Sequence, residues 1–270
     1  MLILPPEWES LWDGKDPFLQ IFALQGQEYR NMDGRRTLRF ELLGESYFVK
    51  MYQGIGWWRI LRSILTLRKP PVLSARNEWQ AIDALHKVGI DTLTTVAYGE
   101  RGRSPATRQS FLVTKELTET ESLEDFCRLW SVHPPTARLK RALIKRVAEM
   151  THTLHQQGMN HRDLYLCHFL LDISTGRDLV NLDNFHLYLI DLHRVQFQST
   201  ITFRRRLKDL SALYFSSMEI GLTSRDLYRF IRDYTQEPLP RALRDKTFLW
   251  QQVRRRGEKL HKRFQRKFQT

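Results

Sequence analysis

The stretch His-Arg-Asp-Leu-Tyr-Leu-Cys-His at residues 161–168 carries the most information about this 270-residue chain. A helical pattern over residues 139–157 precedes it, with large apolar side chains recurring every three to four positions. A short apolar run follows it, and a second apolar run at 187–190 ends at Asp191. The pattern predicts a helix, a polar loop that contains Asp163, and two short strands, the second of which ends in another carboxylate.

This order of elements matches a phosphotransferase catalytic loop, whose motif is His-Arg-Asp-Leu-x-x-x-Asn. Seven of the eight positions at 161–168 are compatible with that motif. The eighth is His168 instead of asparagine, and Tyr165 stands where a lysine is often found two residues after the catalytic aspartate. A lone His-Arg-Asp tripeptide is common by chance, so the prediction also depends on the rest of the chain.

Residues 27–52 predict three antiparallel strands, with a hairpin turn signal at Asp33-Gly34. Lys50 lies at the centre of the third, otherwise apolar strand. A lysine that protects an edge strand from aggregation is the plain alternative, whereas a functional lysine here would contact the α- and β-phosphates of ATP. A helix over residues 77–89 carries Glu78 in its first turn. The helix dipole favours an acid there, and Glu78 is also the candidate acidic partner of Lys50.

The strand over residues 110–117 runs directly into a polar segment, which is the position of a hinge between two lobes. There the carbonyl of Lys115 and the backbone N–H and carbonyl of Leu117 are expected to bond adenine. The sequence has no G-x-G-x-x-G between its first strands, so Arg35 or Arg36 is expected to contact the phosphates instead.

Asp163 is the candidate catalytic base, with Arg162 beside it, because phosphoryl transfer needs a carboxylate that accepts or orients the acceptor hydroxyl. Asp191 is the candidate ligand of Mg²⁺, a hard cation that prefers oxygen. His168 occupies the position of the other metal ligand, although imidazole nitrogen suits Mg²⁺ poorly. Either the metal is held differently or His168 bonds to phosphate.

The predicted fold class is α+β, a protein-kinase-like bilobal fold. The N-lobe, residues 1–117, is an antiparallel sheet with one main helix, and the C-lobe, residues 118–270, is α-rich. Within the N-lobe, residues 54–70 predict a basic amphipathic insert that fits a membrane-surface segment and a packed helix equally well. Residues 241–270 predict a basic amphipathic helix, for which membrane contact, binding of an acidic protein and a solvated face all remain open.

The charge of the chain favours polyanionic partners, because lysine and arginine leave a formal net charge of +13 and a pI near 10.0. No apolar run is long enough to span a membrane, and the N-terminus lacks the features of a signal peptide. The two cysteines form no C-x-x-C pair, which is typical of reduced thiols in a cytosolic protein. No Ala-Pro-Glu motif follows Asp191, which favours a small-molecule or glycan acceptor over a protein.

Three stretches resemble one family, the lipopolysaccharide core heptose(I) kinases, which belong to the wider Kdo/heptose kinase group with protein-kinase-like folds. They are the run from 161 to 171, Leu-Ile-Asp-Leu-His-Arg at 189–194 and Tyr-Phe-Val-Lys at 47–50. The resemblance implies transfer of phosphate from ATP, with Mg²⁺, to the 4-hydroxyl of the first inner-core heptose. It also implies that Asp163 is catalytic and that histidine is expected at position 168.

The same resemblance implies the lipopolysaccharide core, an anionic glycolipid, as a partner, and a peripheral position at the cytoplasmic face of the inner membrane. Acyl carrier protein is a further partner that it implies, and the positive charge would suit this acidic protein; no nucleic acid is expected. Two alternatives remain. One is a protein kinase acting on tyrosine or serine, and the other is a non-catalytic, polyanion-binding pseudokinase with an altered metal loop.

Overall fold

The structure, a computed structural model, describes residues 1–32, 34–54, 74–104, 107–177, 180, 182 and 184–268. The predicted turn at Asp33 and nearly all of the predicted insert at 54–70 therefore lie outside the described residues. The chain divides into two compact units, Met1–Ala84 with Leu93–Thr118 and Leu85–Thr92 with Glu119–Thr270.

The first unit contains a six-stranded antiparallel sheet. Its strands are β1 (Leu2–Ile3), β2 (Gln27–Met32), β3 (Arg35–Leu42), β4 (Glu45–Tyr52), β5 (Thr95–Arg101) and β6 (Gln109–Lys115). Its helices are α1 (Pro6–Trp12), α2 (Pro17–Ala23) and α3 (Arg76–Lys87), the last of which ends in the second unit. The strands lie in the order β1-β5-β6-β4-β3-β2. Because β4 lies between β3 and β6, its Lys50 does not serve to protect an edge strand.

The two faces of this sheet pack against different helices. On one face, Val49 and its alternate neighbours join an aromatic cluster that surrounds Trp8 of α1. The other face packs against α3, where the rings of Trp79 and Tyr98 stack with their centroids 4.6 Å apart. Successive side chains of a strand point to opposite faces, so Lys50 points toward the face that α3 covers.

The second unit is mainly helical. Its helices are α4 (Leu123–Phe126), α5 (Ala137–Gln156), α6 (Phe203–Ser216), α7 (Ser224–Thr235), α8 (Leu239–Asp245) and α9 (Thr247–Phe268). Its short strands are β7 (Thr120–Ser122), β8 (Met159–Asn160), β9 (Phe169–Asp172), β10 (Leu187–Leu189) and β11 (Gln196–Phe197). They pair in the orders β10-β9-β7 and β11-β8. Two 3-10 turns, Leu166–His168 and Leu192–Arg194, follow the two candidate carboxylates.

Residues 85–92, which the sequence analysis assigned to the N-lobe, belong to the second unit. Their backbone explains this, since Leu189 of β10 donates to the carbonyl of Asp91 at 2.9 Å. The hydroxyl of Thr92 donates back to the carbonyl of Leu189 at 2.5 Å.

The basic run at 204–208 forms the first turns of α6, which begins at Phe203. One helix differs from the sequence expectation. The C-terminal helix predicted over 241–270 is two helices separated at Lys246. There the hydroxyl of Thr247 donates to the carbonyl of Leu243, so a side chain replaces the backbone donor that would have continued α8.

The helices of the second unit surround a cavity of about 560 Å³, lined mostly by apolar side chains that include Trp130, Leu213, Phe230 and Trp250. None of the helices in the described ranges combines the length and the apolar character needed to cross a bilayer.

Candidate active site

Lys50 and Glu78 form a buried ion pair in the first unit. Nζ of Lys50 lies 2.5 Å from Oε1 of Glu78, and the two side chains are 18% and 1% exposed. Because side chains alternate along β4, Lys50 points toward α3, and the first turn of α3 supplies Glu78. The structure thus brings together two residues that the sequence could only predict separately. A buried carboxylate needs such a partner, because an unpaired buried charge is strongly unfavourable.

Glu100 of β5 fixes the start of α3. Its carboxylate accepts hydrogen bonds from the Ser74 hydroxyl at 2.6 Å and from the Arg76 guanidinium at 2.7 Å. Burial raises the pKa of Glu100, but the Ser74 hydrogen bond and the charges of Arg76 and Arg108 outweigh burial and lower this pKa overall. Since Arg76 opens the helix two residues before Glu78, the network fixes where Glu78 meets the sheet.

The two candidate phosphate-binding arginines lie on opposite faces of the sheet. Thr37 of β3 pairs directly with Lys50, so Arg35, two residues away, shares the face of Lys50. Arg36 faces the other way, and its Nε lies 2.5 Å from Oε1 of Glu28. Arg35 is therefore the better placed of the two for phosphate contact, and both expectations stay predictions.

The candidate adenine-binding backbone lies where the first unit ends. Lys115 is the last residue of β6, and Leu117 follows two residues later. The side chain of Lys115 is directed away to Glu45, at 2.9 Å. Any contact with adenine at these positions would therefore use backbone groups, as expected from the sequence. The adenine contact itself stays a prediction.

Asp209 of α6 fixes the backbone of the catalytic loop at 161–168. Its Oδ2 accepts from the amide of His161 at 2.7 Å and its Oδ1 from the amide of Arg162 at 2.8 Å. Arg162 has a left-handed φ of 74°, a conformation that is unfavourable for a residue with a Cβ. The completely buried Asp209 offsets that strain. Sequence reasoning missed this role, although an acid within the apolar pattern of α6 was the available signal.

A buried hydrogen-bond chain supports Asp209. Nδ1 of His155 lies 2.8 Å from the Tyr234 hydroxyl, and Nε2 lies 3.4 Å from Oδ2 of Asp209. Burial lowers the pKa of His155 and raises the pKa of Tyr234, so both are neutral at pH 7. The phenol then donates to Nδ1, which leaves the proton on Nε2 to donate to Asp209.

Asp163 is paired with Arg194, a residue that the sequence analysis did not assign to the site. NH1 of Arg194 lies 2.6 Å from Oδ2 of Asp163, and the side chains are 20% and 21% exposed. Arg194 belongs to the 3-10 turn that begins directly after Asp191. The other oxygen of Asp163, Oδ1, accepts no hydrogen bond from the residues that the structure describes. The carboxylate is thus held at one oxygen and open at the other.

His168 lies between the backbone of Asp163 and the carboxylate of Asp191. Nδ1 of His168 lies 2.7 Å from the carbonyl oxygen of Asp163. Because a carbonyl can only accept, Nδ1 is the donor of this bond. Nε2 lies 3.6 Å from Oδ2 of Asp191, and Nδ1 of His193 donates to Oδ1 of the same carboxylate.

These donors fit Mg²⁺ in part. Throughout the described ranges, no group of three or more His, Cys, Asp or Glu side chains is arranged to hold a metal by itself. Mg²⁺ does not require one, since it is usually held by one or two carboxylates together with phosphate and water. Asp191 suits that role. His168 suits it less well as a direct ligand, because Mg²⁺ binds nitrogen weakly.

The comparisons with known proteins agree over nearly the whole chain. The model of the lipopolysaccharide kinase (Kdo/WaaP) family matches residues 20–234. The chain is 51% identical over 265 residues to the lipopolysaccharide core heptose(I) kinase WaaP of Pseudomonas aeruginosa, covering 98% of this chain and 97% of that protein. It is 46% identical over 268 residues to the protein of the same name from Escherichia coli, covering 99% of each.

A solved structure described as WaaP in complex with acyl carrier protein is also similar. It is 47% identical to this chain with a TM-score of 0.83, and the match covers 97% of this chain and 99% of that one. These matches confirm the resemblance and the α+β, protein-kinase-like fold predicted from the sequence. The chain belongs to the lipopolysaccharide kinase (Kdo/WaaP) family and is an ATP-dependent phosphotransferase.

Proposed function

We propose that this kinase transfers the γ-phosphate of ATP to the 4-hydroxyl of heptose I in the lipopolysaccharide inner core, with Asp163 as the catalytic base. The observation that carries the proposal is the state of Asp163, which is fixed by Arg194 at one oxygen and open at the other. The identity to two core heptose(I) kinases supports the choice of acceptor. The non-catalytic alternative is not retained, because the family is one of kinases.

Asp163 acts on the acceptor. Its Oδ1 accepts the proton of the hydroxyl as the hydroxyl oxygen attacks the γ-phosphorus. The bond from the γ-phosphorus to the bridging oxygen breaks, and ADP leaves with that oxygen. Arg194 keeps the carboxylate oriented, while Asp209 keeps Arg162 and the rest of the loop in place.

The first unit binds the nucleotide. Lys50 contacts the α- and β-phosphates, and Glu78 orients Lys50 through their ion pair. Arg35, on the same face as Lys50, adds a phosphate contact in place of a glycine-rich loop. The carbonyl of Lys115 and the backbone groups of Leu117 bond adenine.

Asp191 would hold Mg²⁺, which when bound would neutralise negative charge on the phosphates. His168 would contribute through Nε2, either to the metal or to a phosphate. Its Nδ1 is occupied by the Asp163 carbonyl, so Nε2 is the nitrogen left for this contact.

Acyl carrier protein is the proposed protein partner, and the exposed basic face of α9 is the proposed contact. Its exposed cations are Arg254, Arg255, Arg256, Lys259, Lys262, Arg263, Arg266 and Lys267. A similar protein has been solved with acyl carrier protein. Charge reversal of Arg255 and Lys259 should abolish copurification of acyl carrier protein, whereas K145E on α5 should not. Unchanged copurification with the charge-reversed α9 would contradict this contact.

A peripheral position at the cytoplasmic face of the inner membrane is proposed as well, because the acceptor is a glycolipid and the chain is strongly basic. Flotation with anionic vesicles should be lost at high salt, since the attraction is electrostatic. Salt-resistant flotation would indicate insertion of apolar segments instead.

The central test is phosphate transfer from radiolabelled ATP to purified core lipopolysaccharide that lacks heptose phosphate. D163N keeps the shape of the side chain and should abolish transfer, while D245N, which alters an exposed carboxylate of α8, should not. Phosphorus–proton NMR correlation of the product should place the new ester at the 4-position. Transfer by D163N at the wild-type rate, or an ester at another hydroxyl, would contradict the proposal.

A further inference from the structure

Two half-buried cations lie beside Asp163 without an acidic partner. The side chains of Arg162 and Lys208 make no hydrogen bond or ion pair with the residues that the structure describes. Exposed lysines commonly lack partners, but a half-buried cation loses solvation, and here it gains no direct hydrogen bond or ion pair in return. Such a pair indicates a place where an anion binds.

The position of Lys208 follows from its helix. It directly precedes Asp209, whose Oδ1 accepts from the amide of Arg162 at 2.8 Å. Lys208 also lies two helical turns before Phe215, on the same face of α6. The ring of Phe215 lies 6.3 Å from the ring of Tyr165 in the catalytic loop. This face of α6 is therefore turned toward the loop.

The charged groups that act on Lys208 leave a positive surplus. They are Arg162, Arg194, Asp163 and Asp209, which with Lys208 itself make three cations and two carboxylates. Both carboxylates are already used, because Asp209 accepts two loop amides and Asp163 is paired with Arg194. Burial lowers the pKa of Lys208; Asp163 opposes this effect, and Arg162 and Arg194 add to it. An oxyanion placed here would relieve that repulsion.

We propose that Lys208, together with Arg162, binds an oxyanion during phosphoryl transfer. The oxyanion is either the phosphoryl group in transit or a carboxylate or phosphate on the acceptor. Developing charge in this transition state is stabilised by fixed cations. The catalytic loop carries Tyr165 and no lysine of its own, so α6 supplies the cation. The inference rests on the proposed function, since it assumes that phosphate is transferred at Asp163.

The test compares K208Q, K208R and the wild type, with K145Q as the matched control on an exposed lysine of α5. Initial rates are measured against ATP, against core lipopolysaccharide lacking heptose phosphate, and for ATP hydrolysis without acceptor. K208Q should lower kcat/KM for the acceptor by about tenfold or more. K208R should restore most of the loss, and K145Q should match the wild type.

The kinetic parameter that changes in K208Q identifies the oxyanion. A raised KM for lipopolysaccharide with unchanged ATP hydrolysis assigns it to the acceptor. An equal fall in hydrolysis and transfer assigns it to the phosphoryl group. Wild-type values for K208Q in all three measurements would overturn the proposal. The melting temperature of K208Q should not fall, because Lys208 has no described partner to lose; a large fall would show a structural role instead.

The inference can be separated from the proposed function. If the wild type does not phosphorylate lipopolysaccharide, the proposed acceptor is wrong, but acceptor-free ATP hydrolysis still tests Lys208. Thermal stabilisation by inorganic phosphate gives a second, activity-independent measurement. Phosphate should stabilise the wild type and K145Q more than K208Q. Equal stabilisation of all three would overturn the oxyanion site.

Discussion

Arg194 donates to Oδ2 of Asp163 at 2.6 Å, which joins the turn after Asp191 to the catalytic loop. Asp191 and Arg194 are three residues apart, because Asp191 caps the 3-10 turn that Arg194 ends. The candidate metal ligand and the group that orients the candidate base are therefore fixed by the same few residues. Any displacement of this turn would disturb both functions together.

Arg194→Ala should lower kcat by about 10- to 100-fold, because the carboxylate loses the partner that orients it. Arg194→Lys keeps the charge but not the planar guanidinium, and it should give an intermediate loss. Steady-state kinetics with saturating ATP measures both. R232A, which removes an exposed arginine of α7, is the control. A wild-type kcat for R194A would show that the ion pair does not contribute to transfer.

Glu78→Gln should raise the KM for ATP and lower the free energy of unfolding by about 1–3 kcal/mol. The reason is that Lys50 would lose its charged partner on the sheet face that α3 covers. The melting temperature should fall by about 2–4 °C for each kcal/mol. E149Q breaks an exposed pair with Lys145 and should change the melting temperature little. Equal melting temperatures for the two variants would contradict the importance assigned to the Lys50–Glu78 pair.

Gly158→Ala should destabilise the junction between α5 and the catalytic loop. Gly158 has a φ of +67°, and a Cβ there would lie 1.9 Å from the carbonyl oxygen of Gln198. Gly89 has a similar φ of +73°, but a Cβ there would meet nothing within 4 Å. G89A should thus cost only the backbone strain of about 1–2 kcal/mol, and G158A clearly more. Urea unfolding of both variants measures the difference, and equal losses would rule out the clash.

The stability of the chain should fall as the pH drops below about 6.5. Burial lowers the pKa values of His155 and His161, so the folded state keeps both neutral while the unfolded state binds protons near pH 6.5. Their contribution is present above that pH and is lost as the pH falls. Each histidine can account for up to about 1.4 kcal/mol per pH unit.

Urea unfolding at pH 7.5 and pH 5.5 tests this dependence. His155→Gln should make the free energy of unfolding less dependent on pH, whatever its effect on stability at pH 7.5. H133Q, at an exposed histidine, should leave the dependence unchanged. An unchanged pH dependence in H155Q would show that His155 is not the group that titrates.

The sequence was most informative for residues whose surroundings are determined by the strand or helix that contains them. The period-two pattern of β4 predicted a strand with an inward lysine, and the first turn of α3 predicted Glu78. Asp163 and Asp191 could be singled out as candidates because each follows a recognisable element.

The sequence was least informative where a side chain acts on a distant part of the chain. Arg194 lies 31 positions from Asp163, and Asp209 lies 48 positions from His161. Nothing local distinguishes Arg194 from other charged residues, and the local signal for Asp209 is only its place within the apolar pattern of α6. The face of the sheet that Arg36 occupies is likewise fixed only by pairing with β4.

The bonds from Asp209 to the amides of His161 and Arg162 can form only late in the synthesis of the chain. The ribosome completes the catalytic loop well before it adds Asp209, which follows His161 by 48 residues. Until then the left-handed Arg162 has no buried acceptor to hold it. The nascent chain therefore carries all its candidate catalytic and metal-binding residues before it can form a competent loop. We therefore expect activity only after α6 has emerged and folded.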